Sequence, residues 1–196
     1  NLAKEIMAGQ PAASVVAIPD ETIALELQRI LTRPNLRVYT NPDVVGCEVA
    51  GVVKNVIAIA AGMAEGMEFG DNTRATLITR GLAEMSRLGV AMGGDPVTFA
   101  GLAGMGDLIA TCSSKQSRNN SVGLALGQGR TIDEILGSMN MVAEGVKSSP
   151  SVLDIAGQYG VEMPITEQVV AVCHEGRSAR EALSVLMSRS SKSELD

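Results

Sequence analysis

The sequence predicts a mainly helical protein, in which an all-helical domain over residues 43–196 follows the last β-α-β elements of a truncated α/β domain over residues 1–42. Hydrophobic residues make up 45% of the chain but aromatic residues only 2%, with ten Met and no Trp. Such side chains suit closely packed helices better than a β-sandwich, which draws on aromatic and β-branched residues. From Asp43 onward, the apolar residues also recur with the helical period.

The first part of the chain alternates quickly between strand and helix patterns. Residues 13–18 form a short apolar run, and Asp20 is placed to cap a helix over residues 21–32. Residues 36–39 have the pattern of a second strand. Strand, helix and strand with short links are typical of an α/β sheet. Because two strands are not stable as a sheet alone, we expect them to be the last strands of a larger domain.

The second part of the chain is predicted to contain about seven helices. The two longest lie over residues 43–66 and 71–91, and Asp71 or Asn72 is expected to cap the second of them. Apolar helix faces left without a partner also make a homodimer conceivable, although the same faces would fit an intramolecular interface.

The net charge of −6 argues against nucleic-acid binding, because a non-specific binder must neutralise phosphates. Cys47, Cys112 and Cys173 are far apart and form no CxxC pair. We therefore expect three reduced thiols of a cytoplasmic protein, rather than disulfides or a zinc site. The sequence predicts neither a nucleic-acid partner nor a metal.

The most apolar stretch, residues 49–63, is not expected to span a membrane. Its length of about fifteen residues falls short of the ~20 that a bilayer requires. Lys54 and Asn55 lie near its centre, where a charge is costly in lipid. No signal peptide is recognisable, and Asn1 is not a start methionine, so we expect the chain to begin inside a longer sequence.

Lys54 is the first candidate for chemistry, since it is the only charged residue between Glu48 and Glu65. Burial disfavours the charged form of a lysine, which makes such a residue useful as an acid or base near neutral pH. The alternative is a lysine that reaches solvent or pairs with a distant acid. Asn55 is either a donor to a substrate hydroxyl or a polar residue of the core.

A second candidate site is the run Ser117, Arg118 and Asn119, just ahead of a helical pattern. A helix N-terminus offers free N–H groups, and an arginine adds a permanently charged clamp, so that together they suit a phosphate group. The alternative is ordinary helix capping beside a solvated arginine. The GxxGxG run from Gly101 to Gly106 follows no predicted strand and is not interpreted as a dinucleotide fingerprint.

Several runs of the sequence follow one another in the order typical of a known family. They are Val53-Lys-Asn-Val-Ile-Ala-Ile-Ala-Ala-Gly-Met, Phe69-Gly-Asp-Asn-Thr-Arg-Ala, Ile78-Thr-Arg-Gly-Leu-Ala-Glu-Met, Gly101-Leu-Ala-Gly-Met-Gly-Asp-Leu-Ile, Gln116-Ser-Arg-Asn, Val142-Ala-Glu-Gly and Val161-Glu-Met-Pro-Ile-Thr-Glu. Together they resemble the bacterial NAD(P)-dependent sn-glycerol-3-phosphate dehydrogenases. The resemblance implies a helical domain similar to the C-terminal domain of 6-phosphogluconate dehydrogenase, behind the end of a Rossmann domain.

The resemblance also implies an activity, namely the interconversion of dihydroxyacetone phosphate and sn-glycerol 3-phosphate with NADP or NAD, for phospholipid synthesis. Lys54 matches the proton donor and acceptor, and Asp107 matches a residue that orients it. The implied substrate contacts are Asn55, Thr111, Ser117, Arg118, Asn119 and Asn1, the last where the family often has Ser or Thr. The implied cofactor contacts are Ala3, Arg118, Val142 and Glu144.

The family's Gly-rich phosphate loop and a second lysine precede the matched residues, so we expect this chain alone to be inactive. The residues that decide between NADP and NAD are likewise outside it. Two alternatives stay open at this point. One is a dehydrogenase of unphosphorylated hydroxyacids, from which a phosphate clamp at Arg118 would distinguish the present chain. The other is a non-catalytic helical module, in which Lys54 would be replaceable.

Overall fold

The computed structural model describes residues 3–138, 143–190 and 193, and its first part is a small α/β unit. Strands β1 and β2 pair in parallel, with Ala12 opposite Leu36 and Ala17 opposite Asn41. The predicted strand–helix–strand order is confirmed, and a short first helix is present that the sequence did not predict. The elements are α1 (Ala3–Met7), β1 (Ala12–Ala17), α2 (Glu21–Leu31) and β2 (Leu36–Asn41).

The remainder of the described chain is helical, as predicted. It contains nine α-helices rather than about seven, together with one π-helical turn, Leu102–Gly106. The α-helices are α3 (Val44–Gly66), α4 (Asp71–Ala91), α5 (Pro96–Ala100), α6 (Asp107–Ser113), α7 (Arg118–Gly127), α8 (Ile132–Ser138), α9 (Glu144–Gln158), α10 (Pro164–His174) and α11 (Ala179–Met187). The π-helical turn and α6 were not predicted, because the Gly-rich run from Gly101 to Gly106 did not indicate a helix.

Helix α3 is the centre of the helical part. Helices α4, α6, α7 and α9 all pack against it, and Val56, Ile57 and Ile59 are fully buried in the resulting core. Within the described residues, α3 is the one helix long and apolar enough to cross a membrane. Because its neighbours bury most of its apolar surface, α3 is accounted for as a core helix.

Helices α3 and α7 approach so closely that their backbones touch. A Cβ atom added to Gly62 would lie 2.8 Å from the backbone nitrogen of Leu124, and one added to Gly123 would lie 2.9 Å from the carbonyl carbon of Ile59. Such distances leave no room for a side chain on either face. The N-terminal end of α7, where the candidate phosphate residues lie, is therefore held firmly against α3.

Two helix starts show where capping followed the sequence and where it did not. The Asp20 carboxylate accepts a hydrogen bond from the Ile23 N–H at 3.0 Å, as predicted for α2. The prediction that Asp71 or Asn72 caps α4 is wrong, because Asp71 is already the first helical residue and Gly70 precedes it without a side-chain cap. An acidic residue in the first turn still interacts favourably with the helix dipole.

The three cysteines are free thiols, in agreement with the sequence analysis. Burial raises the pKa of both Cys112 and Cys173 to about 12, so these thiols behave as small core residues. Among the residues that the structure describes, no group of three or more His, Cys, Asp or Glu side chains is placed to hold a metal ion.

Candidate active site

Lys54 of α3 forms an ion pair with Asp107, the first residue of α6, and its Nζ donates a hydrogen bond to the Asp107 Oδ2. The side chains are only 17% and 23% exposed. Burial alone would raise the pKa of the Asp107 carboxyl, but hydrogen bonds and nearby positive charge, those of Lys54 first among them, hold the pKa below its ordinary value. Lys54 thus has the distant acidic partner that was one interpretation of its place in an apolar helix.

Asp107 borders a cavity at the junction of the α/β unit and the helical part. The cavity has a volume of about 350 Å³. Most of the described residues that line it have small side chains, and Asp107 is the only charged residue among them. They come from β1, α3, the π-helical turn and α6: Ala13, Ser14, Val15, Cys47, Gly51, Leu102, Ala103, Gly106, Asp107 and Ala110. The Asp107 carboxylate is therefore accessible to a small molecule from this side.

A chain of hydrogen bonds joins α3, α7 and α9 beside Lys54. The Asn119 Nδ2 donates to the Asn55 Oδ1 at 3.0 Å, and the Asn119 Oδ1 accepts from the Gly145 N–H at 2.9 Å. Both asparagines are buried. The Asn55 Nδ2 in turn donates to the Gly51 carbonyl at 3.2 Å and to Glu144 at 3.4 Å. These amides fix the relative positions of the three helices.

Ser117 and Arg118 lie at the start of α7. The Ser117 hydroxyl is buried and accepts a hydrogen bond from the Asn120 N–H at 3.2 Å, so it caps the helix. The Arg118 guanidinium is 43% exposed and lies 3.9 Å from the Glu144 carboxylate. At this exposure and distance the ion pair with Glu144 contributes little to stability.

The remaining candidate residues lie around the same place. The Thr111 hydroxyl is buried and donates to the Asp107 carbonyl at 2.6 Å, one turn along α6. Ala3 begins α1, which is tied to the loop before Ser117 by a hydrogen bond of 3.2 Å from Gln116 to Glu5.

The described candidates thus lie on or at the start of five helices, α1, α3, α6, α7 and α9. Lys54 meets Asp107, and next to Lys54 the side chains of Asn55, Asn119, Arg118 and Glu144 are linked to one another. Asn1 and Val142 were also predicted to contact substrate and cofactor, and both lie outside the described residues. Gly145 was missed by the sequence analysis. A Cβ atom on it would lie 2.6 Å from the Asn55 carbonyl oxygen, a close approach that only the fold reveals.

The fold, an all-helical domain behind a small α/β unit, is that of the C-terminal part of a dehydrogenase. The family described as NAD-dependent glycerol-3-phosphate dehydrogenase C-terminus matches residues 43–184. Because this match covers most of the chain, the protein belongs to that family.

Similar proteins agree with this assignment. A protein named glycerol-3-phosphate dehydrogenase (NAD(P)+) from Streptomyces coelicolor is 60% identical over 194 residues, which are 99% of this chain and 58% of the relative. The crystal structure of glycerol-3-phosphate dehydrogenase from Coxiella burnetii superimposes with a TM-score of 0.90 at 40% identity, over 96% of this chain and 58% of that one. The Saccharomyces cerevisiae enzyme, at 24% identity and a TM-score of 0.81, shares the fold. This chain spans somewhat more than half the length of these relatives.

Proposed function

We propose that this chain is the substrate-binding and catalytic part of an enzyme that interconverts dihydroxyacetone phosphate and sn-glycerol 3-phosphate with NADPH or NADH. The observation that carries the proposal is the half-buried Lys54–Asp107 pair at the edge of a cavity, near Arg118 at the start of α7. Residues 1–42 are proposed as the end of the dinucleotide-binding domain and residues 43–196 as the substrate domain.

Lys54 is proposed as the proton donor in the reducing direction. When the carbonyl carbon of the substrate gains a hydride, its oxygen takes up negative charge and needs a proton to become the alcohol. The ammonium of Lys54 gives up that proton and is recharged from solvent; in the oxidising direction the neutral amine accepts it. Asp107 holds the Nζ in place, and Thr111 braces the backbone of Asp107 through its hydrogen bond.

Arg118 is proposed to hold the phosphate group of the substrate. Its guanidinium is exposed enough to leave Glu144, and a dianionic phosphate would be a stronger partner than one carboxylate 3.9 Å away. The positive end of the α7 helix dipole adds to the attraction. Ser117, Asn119 and Asn55 stay proposed as substrate contacts, although in the structure their side chains already bind one another or the α7 backbone.

The nicotinamide cofactor supplies the hydride when it is bound. The residues of this chain fit the reactive end of such a group, because small side chains line the cavity at Asp107 and the exposed Glu144 carboxylate can accept a hydrogen bond from a hydroxyl or an amide. Ala3, Arg118, Val142 and Glu144 are the proposed cofactor contacts, and no metal is required. The choice between NADP and NAD is left to residues outside this chain.

The finer parts of the proposal concern the cell. We assign the product to the glycerol phosphate backbone of phospholipids and the protein to the cytoplasm, where three free thiols stay reduced. Apart from the nicotinamide cofactor, a small phosphorylated triose is the only partner that the proposed chemistry needs, with no nucleic acid and no membrane span. A homodimer is a separate proposal, which sedimentation of the full-length form would test.

The decisive experiment uses what we call the full-length form, this chain preceded by the upstream segment of the Streptomyces coelicolor relative. NADPH oxidation with dihydroxyacetone phosphate is measured for this form and for Lys54→Met, which removes the ammonium but keeps an unbranched side chain only one atom shorter. We expect kcat to fall by about 10²-fold or more, because general acid catalysis contributes about 10²–10⁴-fold.

The matched control is Lys147→Met, which changes an exposed lysine on α9 and should keep the activity. A Lys54→Met form as active as its parent would remove Lys54 from the mechanism. A parent that is inert with dihydroxyacetone phosphate but active with unphosphorylated hydroxyacids would favour a hydroxyacid dehydrogenase and contradict a phosphate clamp at Arg118. A parent inert with both would favour the non-catalytic module.

A further inference from the structure

We propose that the π-helical turn Leu102–Gly106 is the element that sets Asp107 against Lys54, and that Gly104 is the positioning residue that makes this turn possible. This assigns a role to the GxxGxG run, which is not a dinucleotide fingerprint. The inference rests on the proposed function, because it takes the Lys54–Asp107 pair as the reacting centre.

The turn is wider than an α-helical one. The Gly106 N–H donates to the Gly101 carbonyl at 3.1 Å, and the Asp107 N–H reaches back to the Leu102 carbonyl, so each bond spans five residues. A π-turn amounts to one inserted residue, and each residue of a helix turns the chain by about 100°. The turn therefore decides which side of α6 faces α3. In the observed arrangement Asp107 meets Lys54, and Leu108 is fully buried in the core.

Gly104 is the point at which the turn rests on the preceding helix. A Cβ atom on Gly104 would lie 2.6 Å from the carbonyl carbon of Phe99, and it would approach the Phe99 Cα and carbonyl oxygen still more closely. These are backbone atoms, which cannot swing aside as the end of a long side chain can. Any residue other than glycine must therefore move the π-turn away from α5.

Phe99 itself is held in place, so the strain cannot be relieved on its side. Its ring is 1% exposed and lies against Gly89 of α4, where a Cβ atom would come within 2.6 Å of the ring Cε1. Helix α5 is also tied to the start of α3, because the Asp95 N–H donates to the Asp43 Oδ2 at 2.8 Å. A displacement at Gly104 is thus passed forward along the chain to Asp107.

Gly157, on the exposed side of α9 and outside the cavity lining, provides a control for the added methyl group. A Cβ atom on Gly157 would have no atom within 4 Å. Gly157→Ala and Gly104→Ala therefore add the same methyl group to a helical turn, and only Gly104→Ala collides with backbone.

The test is a double-mutant cycle in the full-length form, with kcat for dihydroxyacetone phosphate reduction as the readout. Gly104→Ala is expected to lower kcat by about 10- to 100-fold, the cost of misplacing a reacting group by about 1 Å. In the Asp107→Asn background the same substitution should lower kcat by less than about threefold, because the group that it displaces is already changed. Gly157→Ala should keep kcat in both backgrounds.

Equal losses in the two backgrounds, or an equal loss from Gly157→Ala, would overturn the inference, as would a Gly104→Ala enzyme with full kcat. If Gly104→Ala does not fold, deletion of the exposed Met105 turns the π-turn into an α-turn without a new collision. A folded deletion variant, judged by circular dichroism, with unchanged kcat would also overturn it. A failure of this inference can be told apart from a failure of the proposed function, because Lys54→Met tests the proposed function directly.

Discussion

At the scale of single residues, Glu84 is a buried carboxylate that the proposed chemistry does not use. It lies on α4, is 2% exposed, and accepts hydrogen bonds from the first turn of α10. The Ile165 N–H donates at 2.6 Å, and the Thr166 N–H and hydroxyl donate at 3.2 and 3.1 Å. Helix α10 has no N-cap side chain of its own, so Glu84 of α4 acts as its cap.

Glu84 leads to a prediction for stability against pH. Burial raises its pKa to about 7, although the hydrogen bonds from Ile165 and Thr166 and the charge of Arg87 act in the opposite direction. The folded state therefore binds the proton more tightly than the unfolded state, whose pKa is near 4.5. The protonated group contributes up to ~3 kcal/mol to the free energy of unfolding. This contribution is fully present below pH ~4.5 and is lost as the pH rises to about 7.

We expect the urea concentration at the midpoint of unfolding of this chain to decrease as the pH is raised from 5 to 8. For the Glu84→Gln variant we expect a smaller decrease over the same range. Gln cannot ionise, so its contribution does not change with pH. Its side-chain NH₂ group would face another hydrogen-bond donor, and the substitution should therefore lower stability at pH 5. The exposed substitution Glu26→Gln serves as the control and should follow the unmodified chain. A Glu84→Gln variant with the same slope as its parent would show that Glu84 does not titrate in this range.

How far the sequence predicts individual residues depends on the range of the interaction. Lys54 stands out because it is the only charged residue between Glu48 and Glu65 of a long apolar helix, a local pattern. Its partner Asp107 is 53 positions away, and only the family resemblance suggested the pairing. Glu84 gave no signal, because an acid among the polar residues of an amphipathic helix is expected to face solvent. Single polar contacts between residues that are distant in the sequence leave no periodic pattern in the chain.

At the scale of elements, the pairing of α3 with α7 depends on glycines that face the partner backbone. We predict that Gly123→Ala destabilises the chain by about 2–3 kcal/mol, because its methyl group would collide with the Ile59 carbonyl of α3. Gly157→Ala places the same methyl group on the exposed side of α9, where no atom lies within 4 Å. It should stabilise the chain by about 0.5–1 kcal/mol through the better helix propensity of alanine.

Chemical denaturation of the two variants beside the unmodified chain measures both effects. Opposite signs would support the packing argument, whereas equal changes would mean that α3 and α7 adjust to the extra atom. The sequence predicted the long helices closely but missed α6 and the π-turn, because glycine-rich runs are typical of loops. In this fold the same glycines serve close helix packing, a use that depends on the neighbour and not on the local sequence.

At the scale of the whole molecule, the two parts of the chain differ in how much core they possess. The helical part buries a continuous apolar cluster around α3. In the α/β unit only Val38 of the strands and Ala24 of α2 are buried, while Ile23, Ile30 and Leu31 are 44–47% exposed. A two-stranded sheet with so little cover is marginal by itself. Since the relatives are longer, we infer that their upstream segment supplies the missing cover.

This difference predicts how the 196-residue chain behaves alone. By hydrogen exchange, the amides of β1 and β2 should exchange far faster than those of α3, and they should become protected in the full-length form. The isolated chain should also fail to oxidise NADPH with dihydroxyacetone phosphate, because the strand ends and cofactor contacts beside Lys54 would not be held in place. Both measurements use one sample. Strands as well protected as α3, together with robust turnover, would mean that residues 1–42 form a complete unit and that the proposed division of roles is wrong.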